Sequence, residues 1–153
     1  MYKMILLLFT VLLSATAMAN EVAVAPSVKA DGLPPLGAEW LENNPYRGNA
    51  LAVDIGRQAY NQACARCHGA NASTNAAPAP DLRNLNRYCR RIGEAELRAA
   101  CMRDNDAYFA NVVRKGKVIV GITHMPPWEG VLQQELAWAI QTFFEAQAGG
   151  GRE

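Results

Sequence analysis

Charge of one sign is what this sequence lacks. Its 15 basic and 14 acidic residues nearly cancel over 153 positions, so no strong field favours nucleic acid. A long apolar run is missing too. The hydrophobic opening, Met4 to Leu13, breaks into Ser14, Thr16 and Asn20, short of the about 20 apolar residues that a membrane-spanning helix needs. With Lys3 before it and Ala17-Met18-Ala19 after it, the run reads as a secretory signal over residues 1–19, cleaved before Asn20. An uncleaved anchor is the alternative. Export would place the rest in an oxidising compartment, the periplasm, with no membrane span left. Residues 20–153 suffice for one globular domain.

Strand signals are absent as well. Residues 20–47 are rich in Pro, Ala, Gly and Asn without a sustained period. They predict an N-terminal extension or tether, on which Trp40, Leu41 and Tyr46 could pack. Three helices are expected in a domain spanning 48–147. Asn49 to Ala63 places Leu51, Ile55, Ala59 and Tyr60 near one face. Asp104 or Asn105 caps a second helix that runs to Arg114 and stops near Gly116. The third spans about Gln133 to Ala146, with Leu136, Ile140, Phe143 and Phe144 at helical spacing. Glycines 149–151 then fray it into a disordered tail, 148–153. The prolines of Ala77–Leu82 and Met125–Trp128 mark loops. The expected class is all-α with long loops, and such loops need something to hold them.

Among these scarce chemical groups, three stand together. Cys64-Ala65-Arg66-Cys67-His68 is CxxCH, the spacing that attaches haem c. Two thiols about one helical turn apart reach the two vinyl groups of one porphyrin and form thioethers, and the adjacent imidazole can bind the iron. Random placement of this chain's cysteines and histidines would produce the motif about once in a thousand sequences, and it has one main meaning. A thioredoxin-like pair, or thiol oxidoreductase, would need a βαβ context. A zinc site would need two more paired ligands, and Cys89 and Cys101 are not so spaced. One covalent haem would also supply the core that a chain with long loops otherwise lacks.

The chain resembles a class I cytochrome c. The residues that carry the resemblance are Gly56, Tyr60, Cys64, Cys67, His68, the Pro80-Asp81-Leu82 turn, Val113 to Lys117, Met125 to Trp128, and Trp138 with Ile140 and Phe143. They span Asn49 to about Ala146. The resemblance implies helices and long loops wrapped around one haem. It implies that Gly56 and Tyr60 face Ile140 and Phe143, a glycine at a crossing letting two backbones approach. It also implies that a proline carbonyl accepts the Nδ1–H of His68, which frees Nε2 for iron. Pro80 is the expected acceptor and Pro78 the alternative, because the stretch from Gly69 to Ala79 is longer than in the shortest relatives.

Three residues compete for the sixth iron position: Met125, His124 and Met102. Met102 adjoins Cys101 in a segment that looks inserted. Imidazole is the commoner metal ligand, but prolines stiffen the chain after Met125, and the family's methionine precedes such a turn. Neighbouring side chains in an extended segment point opposite ways, so Met125 is the expected ligand and His124 a rim residue. Thioether ligation raises the reduction potential, and an iron with no open position suits outer-sphere electron transfer.

Cys89 and Cys101 bracket an insertion. A bridge between them would stabilise by about 3 kcal/mol, free thiols being the alternative. Arg83, Arg87, Arg90, Arg91, Arg98 and Arg103 crowd the same region; they form either a solvated face that also pairs haem propionates, or a dock for an acidic partner. The Met125–Gly130 loop, the Asn44–Asn49 lead-in and the insertion look similar to the soluble cytochromes that serve PQQ-dependent alcohol dehydrogenases. That implies a monomeric one-electron carrier reduced by such a quinoprotein and oxidised by a terminal oxidase or another cytochrome. A haem that binds gases or reduces peroxide, with a labile sixth ligand, is the competing reading.

Overall fold

The computed structural model describes residues 22–73 and 78–149. The expected signal at 1–19 lies outside them, as do residues 150–153 of the expected tail. Among the described residues four helices and one hairpin follow each other: α1 (Ala50–Ala63), α2 (Ala65–His68), α3 (Ala95–Lys115), β1 (Lys117–Ile119), β2 (Ile122–Met125) and α4 (Gln134–Gly149). Short 3₁₀ turns occupy Ala70–Ala72, Leu82–Asn84 and Cys89–Arg91.

α1 begins where the Asn49 side chain accepts the Ala52 amide at 3.1 Å, satisfying one of the donors a helix start leaves over. Its buried face is Ala52, Ile55, Gly56, Ala59 and Tyr60; Leu51, expected on that face, is exposed. α1 packs on α4. Gly56 permits this, because a Cβ there would collide with the Ala139 carbonyl and the Ile140 nitrogen. One turn on, the Tyr60 and Phe143 rings sit 5.3 Å apart. Trp138, Phe143 and Phe144 are fully enclosed, and each such side chain contributes about 1.5–3 kcal/mol by burial.

The second expected helix is corrected at its start. α3 begins at Ala95, where the Glu94 carboxylate accepts the amides of Glu96 (2.9 Å) and Leu97 (2.6 Å). The Ala-rich insertion continues the helical ladder without a break, so Asp104 and Asn105 are interior rather than capping. Met102, expected to precede the helix, lies within it. α4 runs three residues past its expected end. Cys89 and Cys101 are joined, with Cα atoms 5.5 Å apart, and the bridge ties the 3₁₀ turn to α3.

The expectation of no strand is also corrected. Lys117–Ile119 and Ile122–Met125 pair antiparallel, and the link between them holds Val120 at φ 49° and Gly121 at φ 76°. Two successive positive φ values match the tight turns whose twist suits a hairpin. The molecule remains mostly helical.

Residues 22–47 lie along the helices rather than standing off as a tether. The Gln134 amide donates to the carbonyls of Gly37 (2.7 Å) and Glu39 (2.8 Å), and the Trp40 ring meets Trp138 at a tilt of 58°. The Tyr46 hydroxyl donates to the Pro34 carbonyl. Deeper in, Asp106 of α3 is 1% exposed. Its carboxylate accepts from Arg47 (2.7 Å), Gln141 (2.8 Å) and the Asn44 amide (3.1 Å). This network joins the lead-in to α3 and α4.

Candidate functional site

A cavity of about 690 Å³ opens between α1–α2, the 78–85 segment, α3, the hairpin and α4. Its size falls among cofactor sites, which run about 300–1,000 Å³. It gathers the sequence-expected residues onto one wall system: Cys64, Cys67, His68, Pro78, Pro80, His124 and Met125 all line it. Met102 does not. Phe109 and Val113 of α3, Ile140 of α4 and Trp128 of the turn after β2 supply apolar surface; of these Phe109 is the one the sequence does not single out, although it lies one turn before Val113.

The one-turn helix α2 carries the motif. His68 donates its amide to the Cys64 carbonyl at 3.0 Å, and Gly69 donates to Ala65 at 2.8 Å, so the turn holds both cysteines and the histidine in one register. Below it, the Tyr60 hydroxyl reaches the carbonyls of Gly69 (2.9 Å) and His68 (3.2 Å). Burial raises the Tyr60 pKa well above the ordinary phenol range, which keeps the hydroxyl a donor. Burial also pushes the Cys64 thiol up to about 12, with Cys67 beside it adding to the shift.

His68 Nδ1 lies 2.7 Å from the Pro80 carbonyl. A carbonyl only accepts, so Nδ1 carries the proton and Nε2 keeps its lone pair. Two further bonds fix the acceptor. Ala79 donates its amide to the Cys67 carbonyl at 2.9 Å. Asp81 caps the next turn through the Arg83 amide at 3.0 Å. Arg83 grips Asp81 with its guanidinium at 2.8 Å, and these hydrogen bonds hold the Asp81 carboxyl below the usual carboxylate range.

Across the site, β2 ends at Met125, which is partly buried, while His124 is exposed. The following Pro-Pro-Trp-Glu turn is pinned to the end of α3. Trp128 donates its amide to the Val113 carbonyl at 3.0 Å, and Glu129 donates to Arg114 at 3.1 Å. These bonds use last-turn carbonyls that a helix end leaves unpaired. Arg114 and Glu129 also pair at 2.5 Å through their side chains, and Arg114 stacks 5.5 Å over Trp40. Gly116 caps α3 at φ +71° and packs directly on the Met125–Pro127 backbone. A glycine after a helix and between lysines was legible as a stop signal; its contact with the loop was not.

Two thiols, an imidazole with one nitrogen engaged, a thioether and apolar walls together fit a covalently held haem. Residues 51–144 match the family model described as cytochrome c oxidase, cbb3-type, subunit III, and the chain belongs to that family of c-type cytochromes. Over 138 residues it is 39% identical to cytochrome c550 of Pseudomonas aeruginosa, covering 88% of this chain and 85% of that protein. No solved structure matches significantly. The protein is therefore a cytochrome c electron-transfer protein with covalently bound haem c, and not an enzyme. No described helix is long and apolar enough to cross a membrane.

Proposed function

We propose that this chain is a periplasmic one-electron carrier that accepts electrons from a PQQ-dependent alcohol dehydrogenase and passes them toward a terminal oxidase or a further cytochrome. Cys64 and Cys67 would hold the haem through thioethers, and His68 Nε2 and Met125 would be the protein ligands to its iron. When bound, haem iron supplies a reversible one-electron couple. The chain's own residues set its conditions. Pro80 orients His68 and makes it a better donor. The Pro126–Pro127 turn and Gly116 limit how far Met125 can move. The apolar walls exclude water and so favour the less charged reduced state.

One observation carries this reading most: the 2.7 Å bond between His68 Nδ1 and Pro80, inside a cavity that Met125 also lines. With His68 and Met125 both lining the cavity, the iron would keep no open position, and the site would suit outer-sphere transfer rather than oxygen or peroxide chemistry. Support for the donor is the likeness of the Met125–Gly130 loop and the Asn44–Asn49 lead-in to cytochromes serving quinoprotein dehydrogenases. Mixing the oxidised protein with quinoprotein alcohol dehydrogenases and substrate, and following haem reduction, tests it. Rapid reduction is expected; no reduction by any of them contradicts the donor. Rapid carbon monoxide binding by the native reduced protein would contradict a closed sixth position.

A further inference from the structure

The segment from the cavity wall into the first turns of α3 has a one-sided charge, and beyond Arg83 nothing in the haem site uses it. Residues 83 to 103 include six arginines and two carboxylates, Glu94 and Glu96, and of the six Arg83 pairs outside the stretch with Asp81. Glu94 is already committed to the amides that start α3. Elsewhere the arginines pair with carboxylates: Arg47 with Asp106, Arg57 with Asp54, Arg114 with Glu129. Among the described residues Arg87, Arg90, Arg91 and Arg103 have no such pair, and all four are exposed. Arg90 instead leans on a neutral acceptor, the Arg83 carbonyl, at 3.2 Å.

The backbone beneath these side chains is rigidly anchored. Asn86 and Cys89 are buried and point inward while residues 87, 88, 90 and 91 face out. The Asn105 amide holds the Asn86 side chain at 2.7 Å and the Leu85 carbonyl at 2.8 Å, Glu145 takes the Asn86 amide at 2.5 Å, and Cys89 is bridged to Cys101. Between the arginines stands Tyr88, 74% exposed. Tyrosine and arginine are the side chains that most often anchor protein interfaces, and a pre-ordered backbone lowers the cost of binding through them. The surface also adjoins the redox site, because Asp81, Leu82, Asn84 and Leu85 line the cavity.

We infer that Arg87, Tyr88, Arg90 and Arg91 form a docking platform for an acidic protein surface of a redox partner. This rests on the electron-carrier reading and names the chemistry of its partner. The unpaired guanidiniums steer an acidic face to the side of the cavity, which mainly accelerates encounter, and Tyr88 enters an apolar recess of that face.

Two arms test it on the haem-loaded protein, comparing Arg87→Glu/Arg91→Glu with the charge-matched control Lys29→Glu/Arg57→Glu. In the first, ferricyanide oxidises the reduced protein over a range of ionic strength. The wild type and the control should react at rates that fall as salt rises, and the Arg87/Arg91 variant should lose at least about tenfold at low salt with a flattened slope. In the second, a quinoprotein alcohol dehydrogenase reduces the same proteins. The variant should again lose about tenfold at low salt and recover at high salt, while Tyr88→Ala slows the reaction without changing the slope. If the ferricyanide rates of variant and control coincide, the platform is overturned. It is overturned equally if a competent dehydrogenase reduces the Arg87/Arg91 variant as fast as the wild type. If no dehydrogenase reduces the wild type, the donor is refuted instead, and the ferricyanide arm alone decides the platform.

Discussion

Gly116 and Met125 touch through their backbones: the Met125 carbonyl occupies the space a side chain on Gly116 would need. The end of α3 therefore sets the height of the loop that carries the expected ligand. Gly116→Ala faces two penalties, a φ of +71° and a collision with the Met125–Pro127 backbone. With ψ at -166° the first lies in a region essentially confined to glycine. The variant should lose about 1–3 kcal/mol of stability and weaken the far-red charge-transfer band of a methionine-ligated ferric haem. Denaturant titration and the ferric spectrum check both.

Removing Asp106 should be costly. Asp106→Ala leaves Gln141 and the Asn44 amide without their buried acceptor, while Arg47 keeps Glu145; each donor so stranded costs about 1–3 kcal/mol. Asp106→Asn keeps an oxygen and should cost less. Thermal unfolding of the haem-loaded protein measures the difference, with an unchanged spectrum below the transition.

The bridge between Cys89 and Cys101 spans a sequence separation of 12. Its removal by Cys89→Ser with Cys101→Ser should cost about 3 kcal/mol in the chain-entropy model. The denaturation midpoint should shift, and the haem absorbance at zero denaturant should not.

Acid should act through Asp81. Its folded pKa is depressed, first by the side-chain hydrogen bonds of Arg83, so its stabilising contribution is complete above the unfolded value of about 3.9. That contribution fades as pH falls through the lower folded value. Stability measured from pH 6 downward should decline below about pH 4, and Asp81→Asn should flatten that decline. An unchanged slope in the variant would assign the acid sensitivity elsewhere.

Much of this site could be read directly from residue order, because its chemistry is local. Cys64, Cys67 and His68 share one turn, and Gly56, Tyr60, Ile140 and Phe143 follow helical spacing that the packed α1–α4 pair reproduces. Pro80 was harder, since two prolines competed; the geometry sets Pro80 against His68. The misses have physical reasons. The start of α3 was placed late because a glutamate cap is a weak signal and Cys101 and Met102 were read as part of an insertion. The hairpin was overlooked because the run Val118-Ile119-Val120-Gly121-Ile122 lacks polar alternation, both faces of the short ribbon being largely exposed. The docking of residues 22–47 rests on Asn44, Arg47, Asp106 and Gln141. Polar residues buried through one another leave no periodic trace.

The central claim is that Met125 rather than His124 completes the iron site. The far-red charge-transfer band of the ferric protein tests it most directly. Met125→Ala should abolish the band, and His124→Ala should leave it intact. A Met125→Ala protein that keeps a low-spin spectrum, while His124→Ala loses it, would contradict the account.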